Sequence, residues 1–302
     1  MQIQGKWLLY CAVEADIGET LESVLKETLH ISGRRLQKLT RSKGIMVNGK
    51  KTHLNKIVKL NDCIKVRIEE SQEPQIAPVQ MELDMLYEDE LVCVFNKPAG
   101  IKTYAVDAKD SVTLANGIRY YFESKGVSSH IHFVHRLDTN TSGAILVAKN
   151  SYAHHLLDQQ LQTNKICRTY IAVVEGELTE EQGVIELPIG RADHRSNKRC
   201  VRRDGEHART HYKCLYKTAE FSVAEITLDT GRTHQIRVHF AHIGHPLIGD
   251  RLYGKASRVI QRQALHAYKL SWESPHTGTL QSVICDLPQD MIHLLQLHEF
   301  DE

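Results

Sequence analysis

From Glu69 to Pro78 the chain reads Glu-Glu-Ser-Gln-Glu-Pro-Gln-Ile-Ala-Pro, ten residues with two prolines and no apolar period. Such a stretch has the composition of a linker, and no continuous core can run through it. It splits the 302 residues into a small domain over 1–70, a linker over 71–80 and a large domain over 81–302, each of a size that can enclose its own core. With 41% hydrophobic and 25% charged residues the chain is globular, which excludes disorder, collagen and a disulfide miniprotein. Its 38 Lys and Arg nearly cancel 37 Asp and Glu, so a polyanionic partner has to be held by local clusters and not by the overall field. The apolar run Leu8 to Val13 is far too short to cross a membrane and lacks a secretory cleavage signature. Seven cysteines, with no pair at two-residue spacing, fit reduced thiols better than a disulfide frame or a zinc ribbon. A soluble protein of the cytosol is expected.

In the first segment Leu21, Val24, Leu25 and Thr28 recur at helical spacing, and Ser32 is placed to cap a second helix that starts at Gly33. Arg34, Lys38 and Arg41 share one face of that second helix, whereas Leu36 and Leu39 project to the other. Asn48-Gly49 after the β-prone Ile45-Met46-Val47 signals a two-residue hairpin. Between Arg34 and Arg67 stand eleven basic residues and one acid, Asp62. That density on one surface is what phosphate contacts require. The helix, hairpin and trailing strand over residues 18 to 68 resemble the small RNA-binding domain named after a ribosomal small-subunit protein, the S-four domain.

In the second segment Leu91 to Phe95 reads as a buried strand closed by Asn96-Lys97-Pro98-Ala99-Gly100. Further strands are expected at Ala144 to Ala148, Tyr170 to Val174 and Phe221 to Leu228. Helices are expected at Ser151 to Leu161 and Thr233 to Ile243, the latter with Ile236, Phe240 and Ile243 on one apolar stripe and Gly244 as terminator. Strands and helices interspersed with long irregular connections argue for an α+β mixed sheet and against a regular doubly wound one.

The densest polar constellation is His135-Arg136-Leu137-Asp138-Thr139-Asn140-Thr141-Ser142-Gly143, a loop that leads into a strand. Thr230 to His239 contributes Arg232 in a turn and Arg237 early on a helix, and Arg168-Thr169-Tyr170 opens another strand. A carboxylate, a guanidinium and a phenol drawn from three separated segments make a plausible active site without metal.

These stretches resemble the RluA-type pseudouridine synthases, which isomerise uridine in structured RNA, over nearly the whole chain. Tyr87-Glu88-Asp89 with Asn96-Lys97-Pro98-Ala99-Gly100 is similar to the family's first motif, and His135-Arg136-Leu137-Asp138 with Thr141-Ser142-Gly143 to its nucleophile motif. Arg168-Thr169-Tyr170 stands where the aromatic motif falls. Thr230 to His239, Gly244-His245-Pro246 through Gly249-Asp250, and Leu265-His266-Ala267 are similar to the later motifs. The resemblance implies that Asp138 attacks the uridine, detaches the base and lets it rejoin through carbon five, with no cofactor and no metal. It implies that Arg237, in preference to Arg232, pairs with Asp138 and favours its ionised form. Tyr170 is expected to stack on the base and to act as an acid/base group, Leu265 to floor the pocket, and Arg136 to fill the vacated stack or hold a flanking phosphate. The expected partner is structured RNA, large-subunit ribosomal RNA first and transfer RNA as the alternative, and the protein is expected to work as a monomer.

A second cationic stretch, Arg191, Arg195, Lys198, Arg199, Arg202, Arg203 and Arg209 against Asp193, Asp204 and Glu206, fits contact with an RNA backbone. Two features depart from the family: Ile101-Lys102-Thr103-Tyr104-Ala105 replaces an apolar run ending in His-Pro, and Arg168 replaces the commoner Lys. Two rival readings remain at this level. The groups His130, His132, His135 and His239, His242, His245 invite a metallohydrolase, but no His-Glu-x-x-His or Cys-x-x-Cys accompanies them. A non-catalytic RNA-binding or ribosome-assembly factor is opposed by the presence of Asp138, Tyr170 and Arg237 together.

Overall fold

The computed structural model describes residues 1–68, 76–105, 112–126, 130–193 and 197–299. Residues 69–75, which include the first half of the expected linker, and Arg195 lie outside the described residues. The first 68 residues contain β1 (Gln2–Gln4), β2 (Trp7–Cys11), a helix α1 (Leu21–Ser23) that continues as a wider π turn to Thr28, α2 (Gly33–Arg41), β3 (Ile45–Val47), β4 (Lys50–Lys51) and β5 (Cys63–Arg67). Their strands form one antiparallel sheet in the order β1-β2-β5-β3-β4. Local chemistry accounts for the boundaries. Thr20 and Ser32 cap the two helices by accepting from Ser23 N (3.2 Å) and Arg35 N (3.4 Å). Asn48 and Gly49 both take positive φ, 52° and 75°, which matches the right-handed twist of the hairpin they close. Leu36 and Leu39 are buried, so α2 docks on the sheet by the face opposite Arg34, Lys38 and Arg41.

The rest of the chain supplies β6 (Asp84–Glu88), β7 (Val92–Lys97), α3 (Leu114–Ser124), β8 (His132–Phe133), β9 (Ser142–Ala148), α4 (Ser151–Gln162), β10 (Cys167–Glu175), β11 (Gln182–Glu186), β12 (Ile189–Arg191), β13 (Arg199–Val201), β14 (Arg209–Lys217), β15 (Phe221–Leu228), α5 (Gln235–His242), β16 (Leu265–Glu273), β17 (Leu280–Ile284) and α6 (Gln289–Glu299). Ten of these strands make one sheet, β11-β14-β15-β10-β16-β9-β7-β6, with β17 on β16 and β8 on β9; β12 and β13 pair separately. The architecture is α+β. Both faces of the sheet centre are covered, which explains why β9 reads as an unbroken apolar run with all seven residues buried. Phe95, Ile145 and Val147 share a cluster with Leu114, Ile118 and Phe122 of α3, and Tyr170, Ala172, Ile236 and Phe240 belong to it as well. Val94, Ala144 and Leu146 turn the opposite way and join Tyr152 and Leu157 of α4. Among the described residues, no helix is long and apolar enough to cross a membrane.

Two expectations for α5 are corrected. The helix begins at Gln235, not Thr233, because His234 adopts the left-handed conformation, φ 60°. Ile243 is not part of a buried stripe: it is the C-cap residue and 36% exposed, while polar Gln235, Arg237 and His239 are themselves buried. A helix sunk on nearly every side does not sort its residues into an apolar and a polar face.

All pairings in the large sheet are antiparallel except β9 with β16, where Ser142 faces His266 and Gly143 faces Ala267. Gly143 takes φ 113°, and a Cβ there would lie 2.3 Å from the Ala267 carbonyl oxygen and 2.6 Å from its nitrogen. Only glycine satisfies both the dihedral and the approach. Gly143→Ala is therefore expected to destabilise the fold by on the order of 3 kcal/mol or more, read as a drop in urea midpoint at unchanged slope; a shift within error would show that the two strands can separate freely.

Candidate active site

Asp138 lies in the turn between β8 and β9, and its neighbours' carbonyls are fastened one after another. Thr103 Oγ1 donates to Leu137 O (3.0 Å), Thr141 N to Asp138 O (3.0 Å), Gly100 N and Lys97 Nζ to Thr139 O (2.9 and 3.0 Å), and Arg262 Nη1 to Asn140 O (3.2 Å). Lys97 is wholly buried and also donates to Pro98 O and Ile101 O, both at 2.9 Å. Burial pulls its pKa down to about 7, opposed by the charge of Asp138. Three acceptor carbonyls nonetheless call for three N–H donors, which only the ammonium carries. Arg262 is anchored by Asp290 of α6 through two bonds, 2.6 and 2.9 Å, and donates to Leu265 O (3.1 Å) as well. The divergent segment after Gly100 thus has a visible job: Ile101 and Thr103 brace the turn, and the Tyr104 ring lies 5.6 Å under the Arg136 guanidinium.

The Asp138 side chain keeps 18% of its surface exposed. Arg237 Nη1 reaches its Oδ2 at 3.1 Å, and His234 Nε2 lies 3.7 Å from the same atom. Oδ1 has no polar partner among the described residues. Arg237 turns its other edge to Asp250, Nε to Oδ2 at 2.6 Å and Nη2 to Oδ1 at 2.8 Å, and its guanidinium sits 5.0 Å over the Tyr253 ring. Burial opposes its charge, but the two carboxylates outweigh that and raise its pKa above the ordinary value. Asp250, also buried, accepts from Leu252 N and Tyr253 N (3.0 and 3.3 Å), which leaves no charge in this chain without a partner.

Around Asp138 opens a cavity of about 480 Å³ whose wall includes Arg136, Arg168, Tyr170, Arg232, His234 and Leu265. The structure therefore brings together six of the residues singled out from sequence: Asp138, Arg136, Tyr170, Arg232, Arg237 and Leu265. Tyr170 is only 5% exposed, and burial raises its pKa, so the phenol stays protonated far above neutrality. Arg232 turns to Glu206 (2.5 Å) and the His207 carbonyl (3.0 Å), not to Asp138. Arg34, Lys38 and Arg41 do not reach this cavity. They line a separate groove of about 790 Å³ with Arg67, His132 and Ser151. His132 in the groove and Val134 to Asp138 in the cavity are stretches of one strand and turn, so the two openings adjoin.

Sequence reasoning passed over Tyr253 and Arg262, and it quoted Lys97, His234 and Asp250 only inside motifs. What marks these residues is burial of a polar group, which composition does not display. Histidines grouped as possible ligands are engaged otherwise. His135 Nε2 accepts from Leu146 N (3.2 Å), His239 bonds Thr210 Oγ1 and Leu187 O (both 2.9 Å), and His245 donates to Glu175 O (2.9 Å). Among the described residues no group of three or more His, Cys, Asp or Glu could hold a metal ion. Burial lowers the pKa of His135 to about 3. A pKa below that of the unfolded chain means that the stability contributed by neutral His135 is complete above about pH 6.5 and is lost as pH falls toward 3. His135→Gln is expected to flatten the decline of urea stability between pH 7 and pH 4; an unchanged slope would refute the assignment.

Residues 91–242 match the profile of the family described as RNA pseudouridylate synthase. A Bacillus subtilis protein named as an uncharacterised RNA pseudouridine synthase is 41% identical over 300 residues, 99% of each chain. The ribosomal large subunit pseudouridine synthase D of Pseudomonas aeruginosa is 38% identical over 231 residues, 72% of each chain. Among solved structures, human RNA pseudouridylate synthase domain containing 1 superposes with a TM-score of 0.56 at 26% identity, covering 72% of this chain and 95% of that one.

Proposed function

Because the chain belongs to the RNA pseudouridylate synthase family and is thus an isomerase, we propose that it converts uridine to pseudouridine in large-subunit ribosomal RNA with Asp138 as nucleophile. The observation that carries this reading is the Asp138 carboxylate itself: one oxygen is committed to Arg237, the other is free, and both face a cavity roomy enough for a nucleoside. In the proposed reaction Asp138 attacks the uridine, the bond between N1 and the ribose breaks, and the base turns within the cavity. It rejoins through carbon five as the bond to Asp138 breaks and frees the carboxylate, and the hydrogen on carbon five leaves as a proton while N1 gains one. Atoms and oxidation level are conserved, so the reaction calls for neither an oxidant nor a group donor. Tyr170 stacks on the base and serves as acid/base group near the sugar, where burial keeps the phenol protonated at neutral pH. Leu265 forms the floor, and Arg136 at the rim meets the flanking phosphate or the gap left in the stack.

Ribosomal RNA is supported by the name of the Pseudomonas relative, which covers most of this chain; transfer RNA is the alternative. Residues 1–70 act in this reading as an S-four-like RNA-binding domain. Its support is the groove of Arg34, Lys38, Arg41 and Arg67, which adjoins the cavity and offers phosphates a path toward Asp138. The protein is read as working as a monomer, and the seven free thiols support a reducing compartment such as the cytosol.

Mapping pseudouridines in total RNA with and without the protein is expected to reveal at least one site lost from large-subunit RNA; a site lost only from transfer RNA would replace the substrate. Asp138→Asn is expected to abolish isomerisation while RNA affinity stays within a few-fold. Equal loss of both would make Asp138 structural and remove the nucleophile from the scheme. Reversing Arg34, Lys38 and Arg41 to Glu is expected to weaken RNA binding and to lower the slope of log affinity against log salt by roughly 2–3. An unchanged slope would return that helix to a solvated surface.

A further inference from the structure

His234 does three things at once that an ordinary loop histidine does not. It holds φ 60° without being glycine, at the N-cap of α5. Such a conformation costs a non-glycine residue about 1 kcal/mol or more and persists where surrounding contacts impose it. Its ring stands across the cavity wall with Nε2 3.7 Å from Asp138 Oδ2. Its other nitrogen, Nδ1, lies 2.8 Å from the Tyr253 hydroxyl.

The protonation pattern of this chain can be read from its donors. Arg199 N donates to the Tyr253 hydroxyl oxygen at 2.8 Å, so that oxygen is already an acceptor. The phenol's single hydrogen is then available to His234 Nδ1, which receives it when that nitrogen is unprotonated. The remaining hydrogen of a neutral imidazole sits on Nε2, whose nearest carboxylate oxygen, Asp138 Oδ2, lies 3.7 Å away, beyond hydrogen-bond length. The reverse tautomer would set an Nε2 lone pair against Asp138 Oδ2 and waste the phenol's donor. The charged groups that act on this ring are Asp138, Arg237, Asp250 and Arg199. Burial lowers the pKa of His234 below its ordinary value, which keeps the ring neutral at pH 7. Tyr253 also carries the Arg237 guanidinium on its ring face, so one side chain steadies both groups that meet Oδ2.

We infer that His234 is a positioning residue of the reaction: in the Nε2–H tautomer favoured by Tyr253, its Nε2, 3.7 Å from Oδ2 of Asp138 in the free protein, closes to a hydrogen bond when substrate fills the cavity, joins Arg237 in holding that oxygen and so leaves Oδ1 as the attacking oxygen. The inference rests on the reading of Asp138 as nucleophile. A carboxylate held at one oxygen by two donors from different directions loses its rotation about the Cβ–Cγ bond. The free oxygen is then presented to the substrate in a single orientation, which is where rate is gained.

The test exploits the unusual backbone. Asparagine tolerates left-handed φ better than glutamine does, but its amide nitrogen reaches only the position of Nδ1; the glutamine amide extends to the position of Nε2. If His234 serves through its Nε2–H, His234→Gln retains kcat within about fivefold, whereas His234→Asn loses roughly 10–100-fold in kcat with KM within about twofold. The opposite order, with Asn near wild type and Gln impaired, would reduce the residue to a backbone requirement and overturn the inference. Tyr253→Phe keeps the ring under Arg237, removes the phenol hydrogen and is expected to lower kcat by a similar factor. A second readout does not depend on turnover. In protein labelled with 15N at histidine, the signal missing from His234→Gln is expected to be a neutral Nε2–H imidazole at pH 7 that loses this preference in Tyr253→Phe. An Nδ1–H or doubly protonated ring would overturn the inference. Wild-type protein inactive on every RNA, or an active Asp138→Asn, would instead defeat the proposed function, and the histidine signal would still decide the tautomer.

Discussion

One buried guanidinium shared between two carboxylates organises this molecule. Arg237 gives two nitrogens to Asp250 and the third to Asp138, so the carboxylate that faces the cavity is tied to one that is sealed in the interior. Burying such a chain adds little to stability, because desolvating three ions costs about what their attraction returns. What the arrangement does secure is geometry. Asp250 is fixed by two backbone amides, Arg237 by the fork of Asp250 and the face of Tyr253, and Asp138 by Arg237. Each member has one orientation because the preceding member has one. Three ions carry one positive and two negative charges, and the surplus negative charge is met by Lys97, whose field acts on Asp138 from the far side of the turn.

The turn itself is held by a second, independent device. Four successive carbonyls, from Leu137 to Asn140, each receive a donor, and two of those donors are buried cations, Lys97 and Arg262. A loop that meets water on one side can therefore be as well determined as a strand. Arg262 also clasps the Leu265 carbonyl, which ties the floor of the cavity to the turn that bears the carboxylate. The close β9–β16 contact at Gly143 begins five residues beyond Asp138, and it gives both ends of this assembly a rigid base.

How much of this could be read beforehand follows from what each element depends on. Helix α2 depends on a serine cap and a two-leucine face, the hairpin at Asn48-Gly49 on two positive φ angles, and β15 on a run of aromatic and β-branched residues whose first four positions are all buried. All three are local, and their residues announce them. Helix α5 is different. Its register is set by the His234 conformation and by burial from several sides, so a periodic stripe including Ile243 was the wrong guide. The site divides in the same way. Asp138, Tyr170 and Arg237 stand in the motifs that carry the family resemblance, and the structure places all three on one cavity. Tyr253, His234, Lys97 and Arg262 act through contacts with residues up to 122 positions away, and such contacts leave no mark in a single sequence.

The two openings complete an energetic argument for the proposed reaction. A uridine in a stacked helix must leave its neighbours before Asp138 can touch it, at a cost of a few kcal/mol. The cavity alone offers contacts to one nucleoside, whose recognition cannot also discriminate among many uridines. The groove beside it meets the remaining requirement in the proposed reading, because its five basic side chains can gain counterion-release energy from several phosphates. Since His132 lies in the groove and the next turn carries Asp138, the proposed reading has a backbone held in one opening bring a base over the other. Affinity spread over many phosphates can then offset the extrusion of a single base, and the chemistry is left to one carboxylate with one oxygen free.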